Sequence, residues 1–250
     1  LFIHFNIHTI NPTITMLDVG QGDSILVELP NNKGNILIDT GGSYTEEWKK
    51  TNYSLAQNIT IPYLKKKGIK KLDYLILTHG DYDHMGESIN LVNNFNVRNV
   101  IFNIGSYNEI EEELISILKK RKINFYRGYD NLNIDGYRFY FLNTKIYDNE
   151  NDNSNVIYFD IVGYKFLLMG DASVQREKDI LEKYNISNVD VLKVGHHGSK
   201  TSSSEKFINK IKPKYSIISV GKNNRYGHPN KEVLDTLNDS KIYRTDQDGS

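Results

Sequence analysis

Two histidines and two aspartates occur within six positions of the stretch T-H-G-D-Y-D-H-M-G, which directly follows the apolar run L-D-Y-L-I-L. Imidazole and carboxylate groups are common ligands of divalent metal ions, and four of them in one turn can converge on one point. The chain has no cysteine, so disulfides and thiolate metal sites are excluded. A polar loop rich in turn formers is the alternative. The four candidate ligands are His79, Asp81, Asp83 and His84.

Three further apolar runs end in residues of the same types. Asp39 closes N-I-L-I-D-T-G-G, Asp171 closes K-F-L-L-M-G-D-A-S, and His196 with His197 closes V-L-K-V-G-H-H-G-S. Functional sites in layered α/β folds gather where strands end, so we expect these side chains to meet the first cluster. Each alone has a structural interpretation, as a turn or N-cap aspartate or as a surface histidine pair. Their recurrence before glycine-bearing turns favours one shared metal site.

The hydrophobic periodicity predicts the elements that position these residues. Short β-type runs predict strands, the first three forming a meander, at 14–19, 24–29, 35–40, 72–78, 98–103, 123–127, 137–142, 155–161, 165–169, 189–194, 215–220 and 241–245. Helical spacing predicts helices at 54–67, 85–94, 109–121, 174–184, 203–211 and 230–237. This mixture indicates an α+β fold in which two mixed sheets pack face to face with helices outside, an αββα four-layer sandwich. No repeat or linker interrupts the chain, so a single domain over residues 1–250 is expected.

Composition limits the classes of partner. The 250 residues are 38% hydrophobic, which is enough for a sizeable core. Lys plus Arg number 31 and Asp plus Glu number 31, so any nucleic acid must be bound by a local surface and not by net charge. The basic runs at 65–67, 70–71 and 119–122 are interpreted first as helix ends. No run reaches the roughly 20 apolar residues of a membrane span, and the first ten residues lack the features of a signal peptide.

Seven motifs in a fixed order carry a family resemblance. They are L-D-V-G-Q-G-D-S at 17–24, I-D-T-G-G at 38–42, T-H-G-D-Y-D-H-M-G at 78–86, L-M-G-D-A at 168–172, L-K-V-G-H-H-G-S at 192–199, Y-G-H-P at 226–229 and R-T-D-Q-D-G at 244–249. The chain resembles the metallo-β-lactamase fold superfamily and, more narrowly, the metallo-β-lactamase-like domain of the ComEC/Rec2 family of DNA-uptake (competence) proteins. The resemblance implies a soluble domain of a larger bacterial multi-pass cell-membrane protein, on its extracytoplasmic face.

The resemblance also implies two divalent metal ions. The superfamily usually presents H-x-H-x-D-H, and here Asp81 replaces the second histidine. The implied ligands are His79 and Asp81 for the first ion, Asp83, His84 and His196 for the second, and Asp171 as the bridge. Strand alternation favours His196 over His197, because only one of two adjacent residues points at the site. Outside the ligands, Asp39 would orient a liganding histidine, and Gln21 and Asp23 would contact metal-bound water or shape their turn.

The identity of the metal follows from the hardness of the ligands. A carboxylate in place of an imidazole favours manganese, with zinc or magnesium as alternatives. One family feature is absent, because no histidine occurs between residues 85 and 195 to act as the third-motif ligand. An oxygen ligand such as Asn155, within E-N-D-N-S-N-V, is the expected substitute, and the first ion is expected to bind weakly.

The expected chemistry is hydrolysis of a phosphodiester, since two ions about 3.5–4 Å apart clamp the phosphate and activate water. Asp83 or Asp171 would orient the water, and His228 would protonate the leaving group or bind phosphate, unless it merely caps the following helix. A phosphate cradle at a helix N-terminus is predicted at Ser199, Lys200, Thr201 and Ser202.

The function implied by the family is that of a metal-dependent nuclease, a DNA exonuclease, that degrades one strand of incoming DNA. The domain would be one part of a larger polytopic membrane protein. DNA and the remainder of the parent channel protein are the implied partners. Two alternatives stay open: a metallo-hydrolase of small phosphodiesters or lactam-like substrates, and a non-catalytic DNA-receiving module. The absent third-motif histidine favours the last.

Overall fold

The computed structural model describes residues 11–42 and 53–250, which form two β-sheets packed face to face with helices on the outer face of each. The predicted α+β fold, an αββα sandwich with two mixed sheets, is confirmed. The first ten residues, for which the sequence predicts no signal peptide, lie outside the described residues. Across the described ranges, no helix combines the length and hydropathy needed to cross a bilayer.

The first sheet contains six strands of the described chain, which lie in chain order. They are β1 (Thr13–Met16), β2 (Ile25–Glu28), β3 (Asn35–Ile38), β4 (Tyr74–Ile76), β5 (Asn99–Phe102) and β6 (Asn124–Arg127). β1 to β3 pair antiparallel, as the predicted meander requires. β3 to β6 pair parallel, so their carboxyl ends share one edge of the sheet.

The second sheet contains seven strands of the described chain, also in chain order. They are β7 (Asn131–Ile134), β8 (Tyr137–Phe141), β9 (Ile157–Ile161), β10 (Tyr164–Leu168), β11 (Val191–Lys193), β12 (Tyr215–Ile218) and β13 (Lys241–Arg244). β7 to β10 pair antiparallel, and β10 to β13 pair parallel. Each sheet therefore has an antiparallel half and a parallel half.

The helices of the described chain are α1 (Ile61–Lys66), α2 (Tyr82–Met85), α3 (Ser88–Asn94), α4 (Glu109–Arg121), α5 (Val174–Lys183), α6 (Glu205–Ile211), α7 (Lys231–Thr236) and α8 (Thr245–Asp248). α4 illustrates how sequence fixes their ends. Asn108 and Glu111 form a capping box, acidic residues occupy the first turn, and the basic run at 119–122 occupies the last turn and the C-cap. The run at 65–67 likewise closes α1, which confirms both runs as helix ends.

Three apolar clusters hold the layers together. Between the sheets, inward residues of one sheet meet those of the other, including Ile38, Ile76, Phe139, Phe159 and Leu168. A second cluster packs α1, α3 and α4 on the first sheet, and a third packs α5, α6 and α7 on the second. Each fully buried side chain of this kind stabilises the fold by roughly 1.5–3 kcal/mol. The sheets consequently form a rigid base for the loops at their carboxyl ends.

Several elements differ from the sequence prediction. β7 is not predicted, because N-L-N-I is short and rich in asparagine, yet Asp135 and Gly136 both have positive φ and form the two-residue turn of a β7–β8 hairpin. The predicted helix 85–94 begins only at Ser88, as α3, and Gly86 and Glu87 divide it from a separate short helix, α2, which is not predicted. The predicted helix 54–67 begins with a π-helical turn, Ala56–Thr60, and α8 is not predicted. The division matters because α2 carries the densest group of candidate ligands.

Candidate metal centre

Four strand ends bring their polar residues to one buried place between the two sheets. In the first sheet Asp39 follows β3, and His79 follows β4 just before α2. In the second sheet Asp171 follows β10, and a turn of two histidines follows β11. Asp39, His79, His84 and Asp171 are each 2% exposed or less. The sequence prediction that these ends converge is therefore met, while the role of each residue as a metal ligand stays a prediction.

His84 occupies the centre of this cluster. Its Nδ1 lies 2.7 Å from Oδ2 of Asp39, which also accepts the hydroxyl of Thr78 at 2.6 Å, while Oδ1 of Asp39 accepts the backbone N–H of Thr78 at 2.7 Å. An ionised carboxylate only accepts, so Nδ1 of His84 is the donor. Its Nε2 points into the cluster, 3.1 Å from Oδ1 of Asp171 and 3.3 Å from Nε2 of His197. Asp39 thus orients a candidate ligand, as expected for the shell outside a metal.

His197 is the histidine of the β11 turn that enters the cluster. Its Nδ1 donates to the carbonyl of Ser219 at 2.9 Å, and its Nε2 lies 3.3 Å from Oδ2 of Asp83. The side chain of His196 is 28% exposed, with Nε2 3.6 Å from Oδ2 of Asp171. The preference for His196 is not supported, because both histidines lie beyond the strand with positive φ, where strand alternation does not apply. His196 instead lies at the rim of the cluster.

Two buried atoms of the candidate ligands are left unsatisfied. Nε2 of His79 and Oδ1 of Asp171 have no hydrogen-bond partner among the described residues, although the latter lies close to His84. Nε2 of His79 is 3.6 Å from Oδ2 of Asp81, and its Nδ1 is 3.4 Å from the hydroxyl of Ser154. Buried polar atoms nearly always have a partner, so this pair of atoms indicates a ligand such as a metal ion.

The segment E-N-D-N-S-N-V reaches the cluster through a serine, Ser154. The hydroxyl of Ser154 accepts the backbone N–H of Asp171 at 3.1 Å. Asn155 is the oxygen ligand considered from the sequence, but its hydrogen bonds join two strands. Its side-chain amide donates to the carbonyl of Leu77, and its backbone N–H donates to the carbonyl of Thr78, both at 2.8 Å. Asn155 therefore connects β9 to β4, and Ser154 is the residue of this segment that touches the cluster.

Lys193, the last residue of β11, is a member of the site that sequence reasoning missed. Its side chain is fully buried, forms an ion pair with Asp23, and donates to the carbonyl of Gly170 at 3.2 Å. Asp23 lies 3.6 Å from Nδ1 of His197 and 3.8 Å from Nδ1 of His84. The only sequence signal is a lysine in an otherwise apolar run, and its partner comes from a distant turn.

The G-Q-G-D turn, residues 20–23, packs against α2 at Asp83. The backbone N–H of Asp23 donates to the carbonyl of Asp83 at 3.2 Å, and a Cβ at Gly22 would collide with that same carbonyl oxygen. Gln21 accepts the backbone N–H of Gly221 at 3.2 Å and thereby links the turn to the end of β12. Gln21 therefore shapes the loop, while Asp23 reaches the histidines.

The charges in the cluster favour a cation. Burial opposes the charged form of His84, but the carboxylates of Asp171 and Asp39 outweigh it and raise the pKa of His84 well above its ordinary value. Burial also opposes the ionised form of Asp171, yet His84 and His197 hold the pKa of Asp171 well below its usual range. For Asp83, the hydrogen bond and charge of His197 with the charge of His84 outweigh burial and lower its pKa to about 2. Carboxylates thus remain ionised here at neutral pH.

These residues fit divalent metal ions. Four groups of three possible ligand atoms lie within 4.8 Å of one another among the described residues. Two of them consist of candidate ligands alone: His79, His84 and Asp171, and Asp83, His84 and His197. Both histidine N–H groups assigned above point away from the cluster, so each Nε2 faces inward and can offer its lone pair to a metal ion once it has released any proton. The raised pKa of His84 reflects the same preference of this place for positive charge. Two such lone pairs 3.3 Å apart repel each other unless a cation or proton lies between them. Imidazole and carboxylate ligands without thiolate suit manganese, zinc or iron.

His228 lies beside the cluster in the loop before α7. Its ring centroid is 5.8 Å from that of His196, and its buried Nδ1 has no hydrogen-bond partner within the described part of the chain. Burial, together with the charge of His196, lowers the pKa of His228, so the ring is neutral at pH 7. The alternative that His228 caps the helix is wrong, because the N-cap of α7 is Asn230.

The predicted phosphate cradle is only partly available. Ser199 and Ser202 are buried, and the hydroxyl of Ser202 already donates to the carbonyl of Gly195 at 2.7 Å. The helix N-terminus that the prediction requires is occupied as well, since Glu177 accepts the backbone N–H groups that precede α6. Lys200 and Thr201 remain exposed, with the Thr201 hydroxyl 3.2 Å from Nδ1 of His196.

The chain is similar to several known proteins. Residues 17–222 match the metallo-beta-lactamase superfamily. The chain is 39% identical over 249 residues to ComE operon protein 3 of Bacillus subtilis (strain 168), covering 95% of this chain and 32% of that protein. It is 32% identical over 248 residues to competence protein ComA of Neisseria gonorrhoeae, covering 95% and 31%. The chain thus spans about a third of the length of these relatives.

Among solved structures, the metallo-beta-lactamase fold protein YhfI from Bacillus subtilis matches with a TM-score of 0.56 at 11% identity, over 95% of this chain and 94% of that one. This match supports the fold alone. The resemblance to the ComEC/Rec2 domain that the seven motifs carry is confirmed by the competence relatives. The chain belongs to the metallo-beta-lactamase superfamily.

Proposed function

We propose that this chain is the metal-dependent nuclease domain of a competence protein and hydrolyses phosphodiester bonds in one strand of incoming DNA. The observation that carries the proposal is the inward-facing pair of nitrogens, Nε2 of His84 and Nε2 of His197, beside the carboxylates of Asp83 and Asp171. A buried set of nitrogen and oxygen ligands at the ends of two sheets suits hydrolytic chemistry on a phosphate.

The ligands divide into two sets. Asp83, His84 and His197 would hold one ion, and His79 with Asp81 would hold the other, with Asp171 between them. Such ions, when bound, supply Lewis acidity and neutralise charge on the phosphate. The side chain of Asp81 is 49% exposed, so the first set is more open than the second. Its carboxylate favours manganese over zinc.

The remaining residues of the site orient groups or move protons. Asp39 and the carbonyl of Ser219 fix the ring nitrogens of His84 and His197 as donors on their outer sides. The low pKa of Asp83 keeps it an acceptor at neutral pH. His228, neutral because its pKa is lowered, would bind the phosphate of the substrate or exchange a proton with the leaving oxygen.

The wider role rests on the relatives. One of them bears the name competence protein, and this chain matches only about a third of its length, so the rest of such a protein is a proposed partner. We place the domain on the extracytoplasmic face of a bacterial multi-pass membrane protein, where incoming DNA would reach it first. DNA and the parent channel are the proposed partners in that setting.

The test is digestion of an end-labelled linear DNA duplex by metal-stripped protein, with manganese, magnesium or zinc added back. We expect digestion with manganese and loss of at least 100-fold in rate in Asp83→Asn. Asp239→Asn, which changes an exposed aspartate of the chain, is the matched control and should digest normally. A folded wild type that digests nothing with any of the three metals refutes the proposal and favours a DNA-receiving module or a small phosphodiester substrate.

A further inference from the structure

A surface cleft of about 470 Å³ lies beside the candidate metal centre and is lined by Asp81 and Asp83 together with two tyrosines. Tyr82 belongs to α2, which follows the first sheet's β4, and Tyr226 belongs to the loop after the second sheet's β12. The side chains are well exposed, at 43% for Tyr82 and 53% for Tyr226. Large exposed rings beside a functional cleft indicate a binding surface.

Tyr226 is the outer member of a series of planar groups. Its ring stacks on that of His228, with centroids 5.7 Å apart and an interplanar angle of 23°. His228 in turn meets His196 edge-on at 5.8 Å, and His196 lies 3.6 Å from Asp171. The guanidinium of Arg225 lies 5.1 Å from the centroid of the Tyr226 ring and donates to its hydroxyl at 3.0 Å. Aromatic groups thus connect the cleft directly to the metal cluster.

Tyr82 is held in place by the glycine that ends α2. A Cβ at Gly86 would come within 2.6 Å of the Tyr82 ring, so the ring packs closely on the glycine backbone. The neighbouring residues along the helix, Asp81 and Asp83, are candidate ligands. The position of the ring relative to the metal centre is therefore fixed by the same helix that carries those ligands.

We propose that this cleft is a base-stacking site for single-stranded DNA, in which Tyr82 and Tyr226 hold the base next to the phosphodiester at the metal centre. The inference rests on the proposed nuclease function and narrows its substrate. Nucleobases stack on aromatic and guanidinium planes, whereas the bases of a duplex are covered by their neighbours. With no net charge on the chain, stacking supplies affinity that electrostatic attraction does not.

The experiment compares the binding of two fluorescent strands of equal length, oligothymidylate and an abasic strand with the same phosphates. Binding is measured by fluorescence anisotropy with calcium in place of manganese, and a gel verifies that the strands stay intact. We expect wild type to bind oligothymidylate at least about 5-fold more tightly than the abasic strand. Tyr226→Ala and Tyr82→Ala should lose that preference, and Tyr226→Phe should keep it. Tyr164 is about as exposed as Tyr226 but lies at the start of β10, at the end away from Asp171, so Tyr164→Ala should behave as wild type.

Equal affinity of wild type for the two strands overturns the stacking site, as does an unchanged preference in both alanine variants. The same preparations are assayed for digestion of labelled DNA, which separates the two proposals. A wild type that digests DNA but binds oligothymidylate and the abasic strand equally refutes the stacking site and leaves the nuclease proposal intact. A wild type that neither binds nor digests DNA refutes both.

Discussion

Replacing Lys193 by methionine removes a positive charge that is fully buried against Asp23. Methionine has nearly the same length, so the packing of the aliphatic stem is retained. The carboxylate of Asp23 then stays buried without its cation, and its Oδ1 already lacks a hydrogen-bond partner within the described residues. Breaking a buried ion pair from one side costs about 3–5 kcal/mol. We therefore expect Lys193→Met to lower the free energy of unfolding by that amount in the presence of chelator.

Urea unfolding followed by circular dichroism measures this cost as a shift of the midpoint, roughly 1–2.5 M at an unchanged slope of about 2–3 kcal/mol per molar. Lys206→Met, which alters an exposed lysine, should change the free energy of unfolding by less than about 0.5 kcal/mol. Adding Asp23→Asn to Lys193→Met removes the stranded charge and should recover about 2 kcal/mol. A cost below about 1 kcal/mol for Lys193→Met, or strict additivity of the pair, would refute the reasoning.

Three further predictions concern the support of the site. Asp39→Asn removes the acceptor that orients His84 and should weaken manganese binding by about 10- to 100-fold in a calorimetric titration; unchanged affinity would contradict its orienting role. Gly22→Ala brings a Cβ onto the carbonyl of Asp83 and should cost about 3 kcal/mol of stability. Gly20→Ala, where φ is also positive but no described atom lies within 4 Å of the new Cβ, should cost only about 1–2 kcal/mol, and equal costs would exclude the clash. Burial raises the pKa of Glu111 to about 7 in the folded protein from an ordinary value near 4.5, so the folded state retains a proton that the unfolded state releases, and stability falls as pH rises through that window. Glu111→Gln should reduce that fall by roughly 1 kcal/mol between pH 5 and pH 8, after allowance for solvent screening, and an identical pH dependence in both proteins would contradict the shift.

The fold was accessible from sequence because its signals are local. Apolar runs between glycine-bearing turns predict each strand that carries a candidate ligand, and the capping box at Asn108 and Glu111 predicts the start of α4. β7 escaped because two asparagines obscure its alternation, although Asp135 and Gly136 mark the hairpin turn. Element type is therefore predictable wherever the burial pattern repeats along a single segment.

The interior of the site was less predictable, because it depends on pairs that are distant in sequence. His197 replaces His196 at the centre since the turn after β11 adopts positive φ at both histidines, which no alternation rule anticipates. Lys193 has meaning only through Asp23, and Ser154 only through His79 and Asp171. Such residues emerge when two sheets pack together, and single-segment patterns do not contain that information.

The most direct test of the metal centre is the number of manganese ions bound per chain, measured by equilibrium dialysis and elemental analysis of wild type and Asp81→Asn. The ligands described above predict two ions per wild-type chain and no more than one in the variant, whose remaining site would be formed by Asp83, His84 and His197. A folded wild-type protein that retains no manganese at saturating concentration would contradict the assignment of this cluster as a metal centre.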